Sequence, residues 1–270
     1  MPDPSLDLED LTQQVLNSEK YRSISPELVK DLLTRELARR AKPREAVKAV
    51  RSKLHQVGSA YQEKPPPYTA WLADLASLPP DLRDPVVLSF IQRVLPAHAS
   101  TRERVPILPR FFRECLAELG EISSVLDIAC GLNPLAIPWM PLKQDFTYTA
   151  CDIYADMIGF LNQFFLHFQV NGSASYADVT QTIPDVEVEL TLVLKTIPCL
   201  EQLDKDAGRF VLNAIRSPNI LVSFPARSLG GRSKGMVQFY EQHFHALVSG
   251  QPWRINRFEF PGELAFLIRK

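Results

Sequence analysis

Apolar and polar positions follow two different periods along this chain, and the change of period divides it in two. Over the first hundred residues the apolar positions recur at three- and four-residue spacing, which predicts amphipathic helices. From Ser123 onward, short continuous apolar runs alternate with longer amphipathic stretches, which predicts buried strands separated by helices. We therefore expect an α/β chain with an all-helical domain over residues 1–100 and a sheet domain over residues 101–270.

The predicted elements of the second part form an open, doubly wound sheet. Helix starts in the first part are predicted at Ser25-Pro26 and after Lys42-Pro43, and further helices over 86–95 and 107–119. The predicted strands are 123–131 (followed by a tight turn and a helix), 147–153, 175–179, 188–196, 219–224, 253–260 and 263–269, with helices at 154–170, 204–216 and 235–249. Closing antiparallel strands after such a sheet are typical of class I, Rossmann-like methyltransferases. Ligands of such sheets bind beyond the carboxyl ends of the strands.

The composition argues against several classes of protein. The 270 residues are 46% hydrophobic and 23% charged, and no apolar run approaches the roughly 20 residues of a membrane helix, so no membrane association is expected. The N-terminal sequence is acidic and lacks the basic-then-apolar layout of a secretory signal, which favours a cytoplasmic protein. The four cysteines are far apart with no C-x-x-C pair, so neither a zinc site nor a disulfide framework is expected.

Charge is distributed unevenly along the chain. The net charge is −1, yet residues 20–64 hold twelve lysines and arginines against five acidic residues, so that segment carries +7 and the remainder −8. Such asymmetry is what a phosphate-binding module joined to an acidic enzyme body would show. A solvated helical surface would show the same run of charge, so both interpretations stay open on charge alone.

The second predicted helix bears on the choice between an RNA-binding surface and a solvated one, because its basic residues share one face. Arg44, Lys48, Arg51 and His55 recur at spacings of four, three and four beside an apolar stripe, and Lys53 lies on another flank. Folded RNA is read largely through its backbone and shape, so a basic stripe of this kind suits RNA docking as well as it suits a solvated surface.

Three residues at predicted strand ends point to a nucleoside cofactor. Gly131 closes the first strand, where a residue without Cβ lets the backbone approach a ligand closely. Asp152 ends the second strand 21 residues later, the distance at which a carboxylate accepts hydrogen bonds from ribose hydroxyls. Asp178 ends the third and would face the adenine edge, although an aspartate at a strand end is also a common helix cap. Because G-x-G-x-x-G is absent, S-adenosylmethionine is favoured over NAD.

Six ordered motifs resemble those of one known family over nearly the whole chain. They are RSKLHQ (51–56), HASTRER (98–104), VLDIACGLNP (125–134), LKTIPCLEQ (194–202), SFP (223–225) and SLGGRSKGM (228–236). On these motifs the chain resembles the 16S rRNA guanine-1405 N7 methyltransferases of aminoglycoside producers and resistant pathogens. The resemblance implies a Rossmann-like catalytic domain that uses S-adenosylmethionine and an N-terminal helical domain that docks on 16S rRNA within the 30S ribosomal subunit. We expect a monomer.

The resemblance also implies roles for individual residues. In the cofactor pocket, Arg104 would clamp the methionine carboxylate and Asp152 would hold the ribose. The other implied pocket residues are His98, Ala99, Ser100, Ala129 and Gly131 along the wall, Asp178 and Val179 at the adenine, Leu194 and Gln202 beside the sulfonium, and Tyr61 closing over the cofactor. The residues implied at or near the target nucleotide are Lys195, Glu201 and Arg232, and those implied to contact rRNA are Lys20, Arg51, Lys53 and His55.

Each of these roles has a plainer alternative. Arg102 and Arg104 could pair on a surface, Lys195 could be a rim charge, and Glu201 could only orient a cationic neighbour. For the chain as a whole, one alternative is a methyltransferase for another rRNA position, such as the neighbouring adenine N1. A non-catalytic S-adenosylmethionine fold that binds ribosomes is another.

Overall fold

A computed structural model of the chain describes residues 8–40, 42–57, 66–226 and 235–270. Its helices are Leu8–Leu16 (α1), Pro26–Arg39 (α2), Pro43–Val57 (α3), Tyr68–Ala76 (α4), Pro85–Val94 (α5), Ala99–Arg104 (α6), Leu108–Cys115 (α7), Ala155–His167 (α8), Ile197–Leu200 (α9), Ala207–Ala214 (α10) and Met236–Leu247 (α11). Short 3₁₀ segments cover Leu95–Ala97, Val105–Ile107 and Asn133–Trp139. Among these helices, none is long and apolar enough to cross a bilayer.

The start of α2 lies where the sequence predicts it. Ser25 Oγ accepts the Glu27 N–H at 3.1 Å, and Pro26 occupies the first turn, where its missing N–H costs nothing. The apolar face of α2 is buried against α1 and α3. These three helices therefore pack on one another, and their buried residues belong to the same hydrophobic cluster as residues of the sheet.

The helical part also shares a hydrophobic cluster with the sheet part. Tyr68 and Trp71 of α4 pack against Phe160 of α8, with ring centroids 5.5 and 5.6 Å from that of Phe160. The predicted boundary at residue 100 falls inside α6, and it stays a prediction.

The seven strands confirm the predicted α/β class and its Rossmann-like order. They are Ile122–Ile128 (β1), Leu142–Asp152 (β2), Asn171–Tyr176 (β3), Leu190–Leu194 (β4), Asn219–Pro225 (β5), Arg254–Phe260 (β6) and Glu263–Arg269 (β7). Their order is β3-β2-β1-β4-β5-β7-β6, with β1 to β5 parallel and β7 antiparallel to both β5 and β6. The order reverses between β1 and β4, so the ligand crevice is expected at their carboxyl ends.

The third strand differs from the prediction. It covers Asn171–Tyr176 instead of 175–179, so Asp178 lies two residues beyond its end. Asn, Gly and Ser are disfavoured in strands, which is why the pattern placed the start too late. Pairing with β2 overrides that preference, and Gly172 allows β3 to approach α8 closely, because a Cβ there would lie 2.9 Å from Phe165 Cγ.

The helix predicted after the first strand is a 3₁₀ segment over Asn133–Trp139. Pro138 lies inside this segment and has no N–H to donate to a helical hydrogen bond, so a regular α-helix cannot form there. β2 begins three residues after the end of this segment, at Leu142.

Candidate cofactor cleft and charged cluster

A cleft lies at the carboxyl ends of the parallel strands, where the strand order reverses. Its walls come from α2, the start of α6, the ends of β1 to β4, and α9 with the turn after it. The lining residues are Leu28, His98, Ser100, Ala129, Asp152, Ile153, Tyr154, Ala177, Asp178, Val179, Thr180, Leu194, Lys195, Thr196, Cys199, Leu200 and Leu203. Seven of the predicted cofactor residues are therefore brought together in one cavity: His98, Ser100, Ala129, Asp152, Asp178, Val179 and Leu194.

Backbone conformation marks the same edge of the sheet. β1 ends at Ile128, so Gly131 lies three residues beyond it and does not close the strand as predicted. Ala129 and Gly131 have φ of 49° and 54°, and Lys195, directly after β4, has φ of 58°. Left-handed backbone is uncommon for residues with a Cβ and costs of order 1 kcal/mol or more, so such residues cluster at functional sites. At Gly131 a Cβ would also lie 3.2 Å from His98 Cε1, which explains why a glycine occupies this position.

Asp152 is held rigidly at the end of β2. Its Oδ2 accepts the Gly131 N–H at 2.9 Å and its Oδ1 accepts the Ile153 N–H at 2.7 Å. Burial raises the pKa of Asp152 even though these backbone hydrogen bonds act in the opposite direction. The side chain is thus a fixed carboxyl group at the edge of the cleft, directly beside the glycine that the sequence singles out.

Asp178 and Val179 lie in the loop after β3. Asp178 Oδ1 accepts the Thr180 N–H at 3.0 Å and the Thr180 hydroxyl at 2.7 Å, so this oxygen caps its own turn. Val179 is buried and forms an apolar wall of the cleft beside it. Asp178 therefore caps a turn, not a helix as the sequence alternative had it, and it lines the cleft, while its contact with adenine stays a prediction.

His98 and Ser100 form the rim contributed by the start of α6. His98 Nδ1 and Ser100 Oγ are 2.8 Å apart. Burial lowers the pKa of His98 to about 4, and the nearby cations Arg104, Arg102 and Lys195 act in the same direction. The imidazole is neutral at neutral pH. Ala99, between them, is buried and does not line the cleft.

Arg104 is buried behind this rim, in contrast to the surface pairing considered from the sequence. Its side chain is 1% exposed, and its Nε and Nη2 donate to the Glu263 carboxylate, with Nη2 to Oε1 at 2.7 Å. Its Nη1 donates to Asn133 Oδ1 at 3.0 Å, and its guanidinium lies 5.0 Å from the Phe111 ring centroid. Arg104 does not line the cleft in this structure, so its contact with a methionine carboxylate stays a prediction.

Lys195 joins the same group of charges and also lines the cleft. Its Nζ lies 2.6 Å from Glu103 Oε2 and 3.4 Å from Glu263 Oε2, and its side chain is 3% exposed. Burial alone would raise the pKa of Glu263, but Arg104 and Lys195 outweigh it and hold that pKa below its ordinary value. We call these four residues, Glu103, Arg104, Lys195 and Glu263, the charged cluster.

A polar chain connects the charged cluster to the sheet interior. Asn133 Nδ2 donates to Asp127 Oδ2 at 2.8 Å, and the Tyr148 hydroxyl donates to the same oxygen at 2.7 Å. Burial raises the pKa of Asp127 to about 7 against these hydrogen bonds. Together with the Arg104–Asn133 bond, the chain fixes the segment after β1 relative to β2.

Glu201 and Gln202, like Ala99, Arg104 and Gly131, lie outside the lining of the cleft. Glu201 pairs with His243 of α11, with Oε2 to Nε2 at 2.8 Å, and burial raises its pKa. Its carboxylate packs so closely on α10 that a Cβ at Gly208 would lie 2.6 Å from Oε1. This geometry fits the plainer alternative, in which Glu201 orients a neighbour, and a role at the target nucleotide stays a prediction. Gln202 is exposed and does not line the cleft.

The predicted basic face of α3 is exposed. Its members are Arg44, Lys48, Arg51 and His55. Arg51 donates to the Gln14 carbonyl, and Lys53 Nζ lies 3.0 Å from Oε1 of the buried Glu36. Lys53 is therefore an internal ion-pair partner as well as a predicted rRNA contact. Lys20 is exposed in the turn after α1, and Tyr61 and Arg232 lie outside the described residues.

Sequence reasoning missed Glu103, Glu263 and Leu28. Glu263 is 1% exposed and begins the otherwise apolar β7, and a lone acid at the start of an apolar strand was the only available signal. Its partner Arg104 is 159 residues away, so no local spacing connects them. Leu28 reads as one member of an apolar helix face, and nothing in that pattern marks the member that reaches the cleft.

The cleft suits a nucleoside with a charged tail. One end holds the Asp152 carboxyl group, which is able to accept hydrogen bonds from hydroxyls, beside the apolar wall of Val179. The other end holds the Lys195 ammonium group, which is paired with Glu103 and Glu263 of the charged cluster behind the lining. Among the residues that the structure describes, no group of three or more His, Cys, Asp or Glu side chains could hold a metal ion.

Comparison with known proteins gives one consistent result for the sequence. The family model described as "Ribosomal RNA methyltransferase (FmrO)" matches residues 17–267. The chain is 37% identical over 265 residues to a 16S rRNA (guanine(1405)-N(7))-methyltransferase of Micromonospora rosea, and the match covers 97% of each chain. It is 30% identical to an enzyme of the same name from Serratia marcescens, covering 98% of this chain and 99% of that one.

Solved structures with the same fold include two 16S rRNA methylases. The crystal structure of 16S rRNA methyltransferase RmtF in complex with S-adenosyl-L-homocysteine has a TM-score of 0.83 at 28% identity, covering 99% of this chain and 100% of that chain. The structure of the 16S rRNA methylase RmtB has a TM-score of 0.81 at 26% identity, covering 98% and 99%. The similarity extends over the N-terminal helices as well as the sheet.

Proposed function

The chain belongs to the ribosomal RNA methyltransferase (FmrO) family, and on that premise we propose that it transfers a methyl group from S-adenosylmethionine to N7 of guanine 1405 in 16S rRNA. The arrangement that supports this assignment is a single cleft with the Asp152 carboxyl group at one end and the charged cluster at the other. Methylation at this position confers aminoglycoside resistance, because it adds a methyl group and a positive charge to the groove edge that these polycationic drugs approach.

Each end of the cleft binds a different part of the cofactor. At the adenosine end, which comprises Asp152, Asp178 and Val179, the Asp152 carboxyl group holds the ribose and Val179 packs on the adenine. At the charged end, Arg104 provides the positive charge that a methionine carboxylate needs. Leu194 lies between the two ends, after β4, and forms part of the wall there.

The chemistry requires alignment more than proton transfer. S-adenosylmethionine supplies an activated methyl group on a sulfonium centre. Guanine N7 carries an in-plane lone pair and no proton, so no side chain of the chain has to act as a base. The contribution of the protein is to hold N7 in line with the methyl group, and correct orientation alone is worth several kcal/mol in such reactions.

Lys195 is the described residue best placed to act on the target nucleotide. It lines the cleft, and its ammonium group is fixed by Glu103 and Glu263. A guanine paired in an RNA helix has to leave the stack before it can enter the cleft, and a fixed cation is suited to hold its phosphate or its edge. Arg232, outside the described residues, is proposed to share this role.

The exposed basic face of α3 is proposed to dock the enzyme on 16S rRNA within the 30S subunit, with the protein acting as a cytoplasmic monomer. Arg44 and Lys48 test this best, because Arg51 and Lys53 also have internal partners. Replacing both Arg44 and Lys48 by Glu should weaken 30S binding and reduce the slope of log K against log salt by roughly 0.7–0.9 for each phosphate that the protein no longer neutralises. Replacing Arg113 and Lys143, exposed cations outside this face, should leave both unchanged.

The direct test of the proposed function is site mapping on the ribosome. The protein is incubated with 30S subunits and labelled S-adenosylmethionine, and the modified nucleotide is located by reverse transcription after borohydride and aniline cleavage. A stop at guanine 1405 is expected, and a stop elsewhere would contradict the assignment. Cells expressing the chain should resist kanamycin and gentamicin but not apramycin. Added apramycin resistance would indicate the adenine, and no resistance would indicate a non-catalytic module.

A further inference from the structure

The segment that leads into α2 is joined directly to the adenosine end of the cleft. Ile24 forms an antiparallel bridge with Tyr154, and the Ala155 N–H donates to the Ser23 carbonyl at 2.8 Å. The Ser23 hydroxyl also donates to Asp156 Oδ2 at 2.8 Å. These contacts fall on the residues that directly follow Asp152, so the joint lies two to four residues from the proposed ribose carboxylate.

A second contact connects the same segment to β3. Burial raises the pKa of Tyr176, the last residue of β3, and the Ser25 side chain beside it acts in the opposite direction. Tyr176 directly precedes the loop that carries Asp178 and Val179. The start of α2 is therefore joined to the residues after β2 and lies beside the end of β3.

This anchoring places one side chain of α2 in the cleft. Leu28 is 2% exposed and lines the cavity together with Asp152, Tyr154 and Asp178. Because Ser23 and Ile24 are attached just after the end of β2, and Leu28 follows them by about one helical turn, we place Leu28 at the adenosine end of the cleft.

We propose that Leu28 is a cofactor-binding residue, forming an apolar wall against the adenosine of S-adenosylmethionine, so that the N-terminal helices complete the cofactor pocket as well as docking RNA. This inference rests on the proposed function. An apolar side chain in this place gains free energy by removing the adenosine from water without adding a polar group that requires a partner.

The test compares Leu28→Ala with Leu32→Ala in the full-length protein. Leu32 is the same residue type one turn later on α2, is 1% exposed and does not line the cleft, so its variant has a similar packing defect away from the cofactor. Calorimetric affinities are measured for S-adenosylhomocysteine and for 5′-methylthioadenosine, which has the adenosine but no charged tail. Leu28→Ala should weaken both ligands by about tenfold, and Leu32→Ala should leave both within about twofold of wild type.

Leu28→Met serves as the shape-preserving variant if Leu28→Ala does not fold. It should bind both ligands within about threefold of wild type, because swaps that conserve volume cost little. Wild-type affinity for both ligands in a folded Leu28→Ala protein would overturn the inference, and so would equal losses in Leu28→Ala and Leu32→Ala. A loss for S-adenosylhomocysteine alone would overturn the placement at the adenosine end. If the wild-type protein bound neither ligand, the proposed function itself would fail.

Discussion

The two ends of the cleft are built in opposite ways. At the adenosine end, Asp152 is one carboxyl group held by backbone N–H groups of its immediate surroundings, with an apolar wall beside it. At the charged end, four ionised side chains from distant parts of the chain neutralise one another, and Arg104, Lys195 and Glu263 are each at most 4% exposed. The position of the adenosine end is set by where the strands end. The charged end is set by ion pairs between side chains that come together only in the complete fold.

That difference predicts the largest effect at Glu263. Glu263→Ala leaves the buried Arg104 without its bidentate partner and Lys195 with Glu103 alone. Removing one member of a buried ion pair costs about 3–5 kcal/mol of unfolding free energy, measured by denaturant titration. Glu259→Ala on the neighbouring β6 is the matched control, because its exposed pair with Arg257 should contribute about 1 kcal/mol or less. Equal losses of unfolding free energy in the two variants would contradict the view that the charged end depends on buried ion pairs.

A variant at Lys195 distinguishes a role in methyl transfer from a role in cofactor binding. In Lys195→Ala, Arg104 still neutralises Glu263, so we expect the fold to persist and the affinity for S-adenosylhomocysteine to change little. Methylation of 30S subunits should fall by roughly 100-fold, because misplacement of the target by about 1 Å has effects of that size. Lys205→Ala, an exposed lysine near Glu201, is the control and should methylate normally. Loss of cofactor affinity in Lys195→Ala would instead place Lys195 in the cofactor site.

The effect of His98 on stability is expected to be visible only as a pH dependence. Its pKa is about 4 in the folded protein, below the ordinary value of 6.5, so the unfolded chain takes up a proton first as the pH falls. Wild type should lose unfolding free energy relative to His98→Gln between pH 6.5 and about 4 and show no further difference below that. Asp127 also titrates in this range, but it is present in both proteins and cancels. A constant difference across the range would contradict the neutral imidazole.

The predictability of each region follows from the range of its interactions. Gly131 and Asp152 could be selected from the sequence because a strand end and a 21-residue spacing are local signals. The basic face of α3 was recognisable from helical period alone, and its exposure is confirmed. In contrast, the position of Lys53 beside Glu36 depends on the packing of α3 on α2, so its internal ion pair was not foreseen.

Errors arose where tertiary contacts overrule local preference. β3 starts at Asn171 although its polar, small residues disfavour strands, because pairing with β2 and the contact of Gly172 with Phe165 decide its register. The pairing of Arg104 with Glu263 spans 159 residues, and the role of Leu28 depends on how Ser23 and Ile24 attach just after the end of β2. Such contacts exist only once the sheet and the helices are assembled.

The cleft is proposed to bind the adenosine of the cofactor at one end and its charged tail at the other, and calorimetry with two ligands tests this arrangement most directly. Asp152→Ala should weaken S-adenosylhomocysteine and 5′-methylthioadenosine equally, by about 1.5–3 kcal/mol, because both contain the ribose whose hydrogen bonds to the carboxyl group would no longer form. Arg104→Gln should weaken S-adenosylhomocysteine more than 5′-methylthioadenosine, because only the former has the carboxylate that Arg104 would hold. Wild-type affinity in Asp152→Ala, or equal losses for both ligands in Arg104→Gln, would contradict this arrangement.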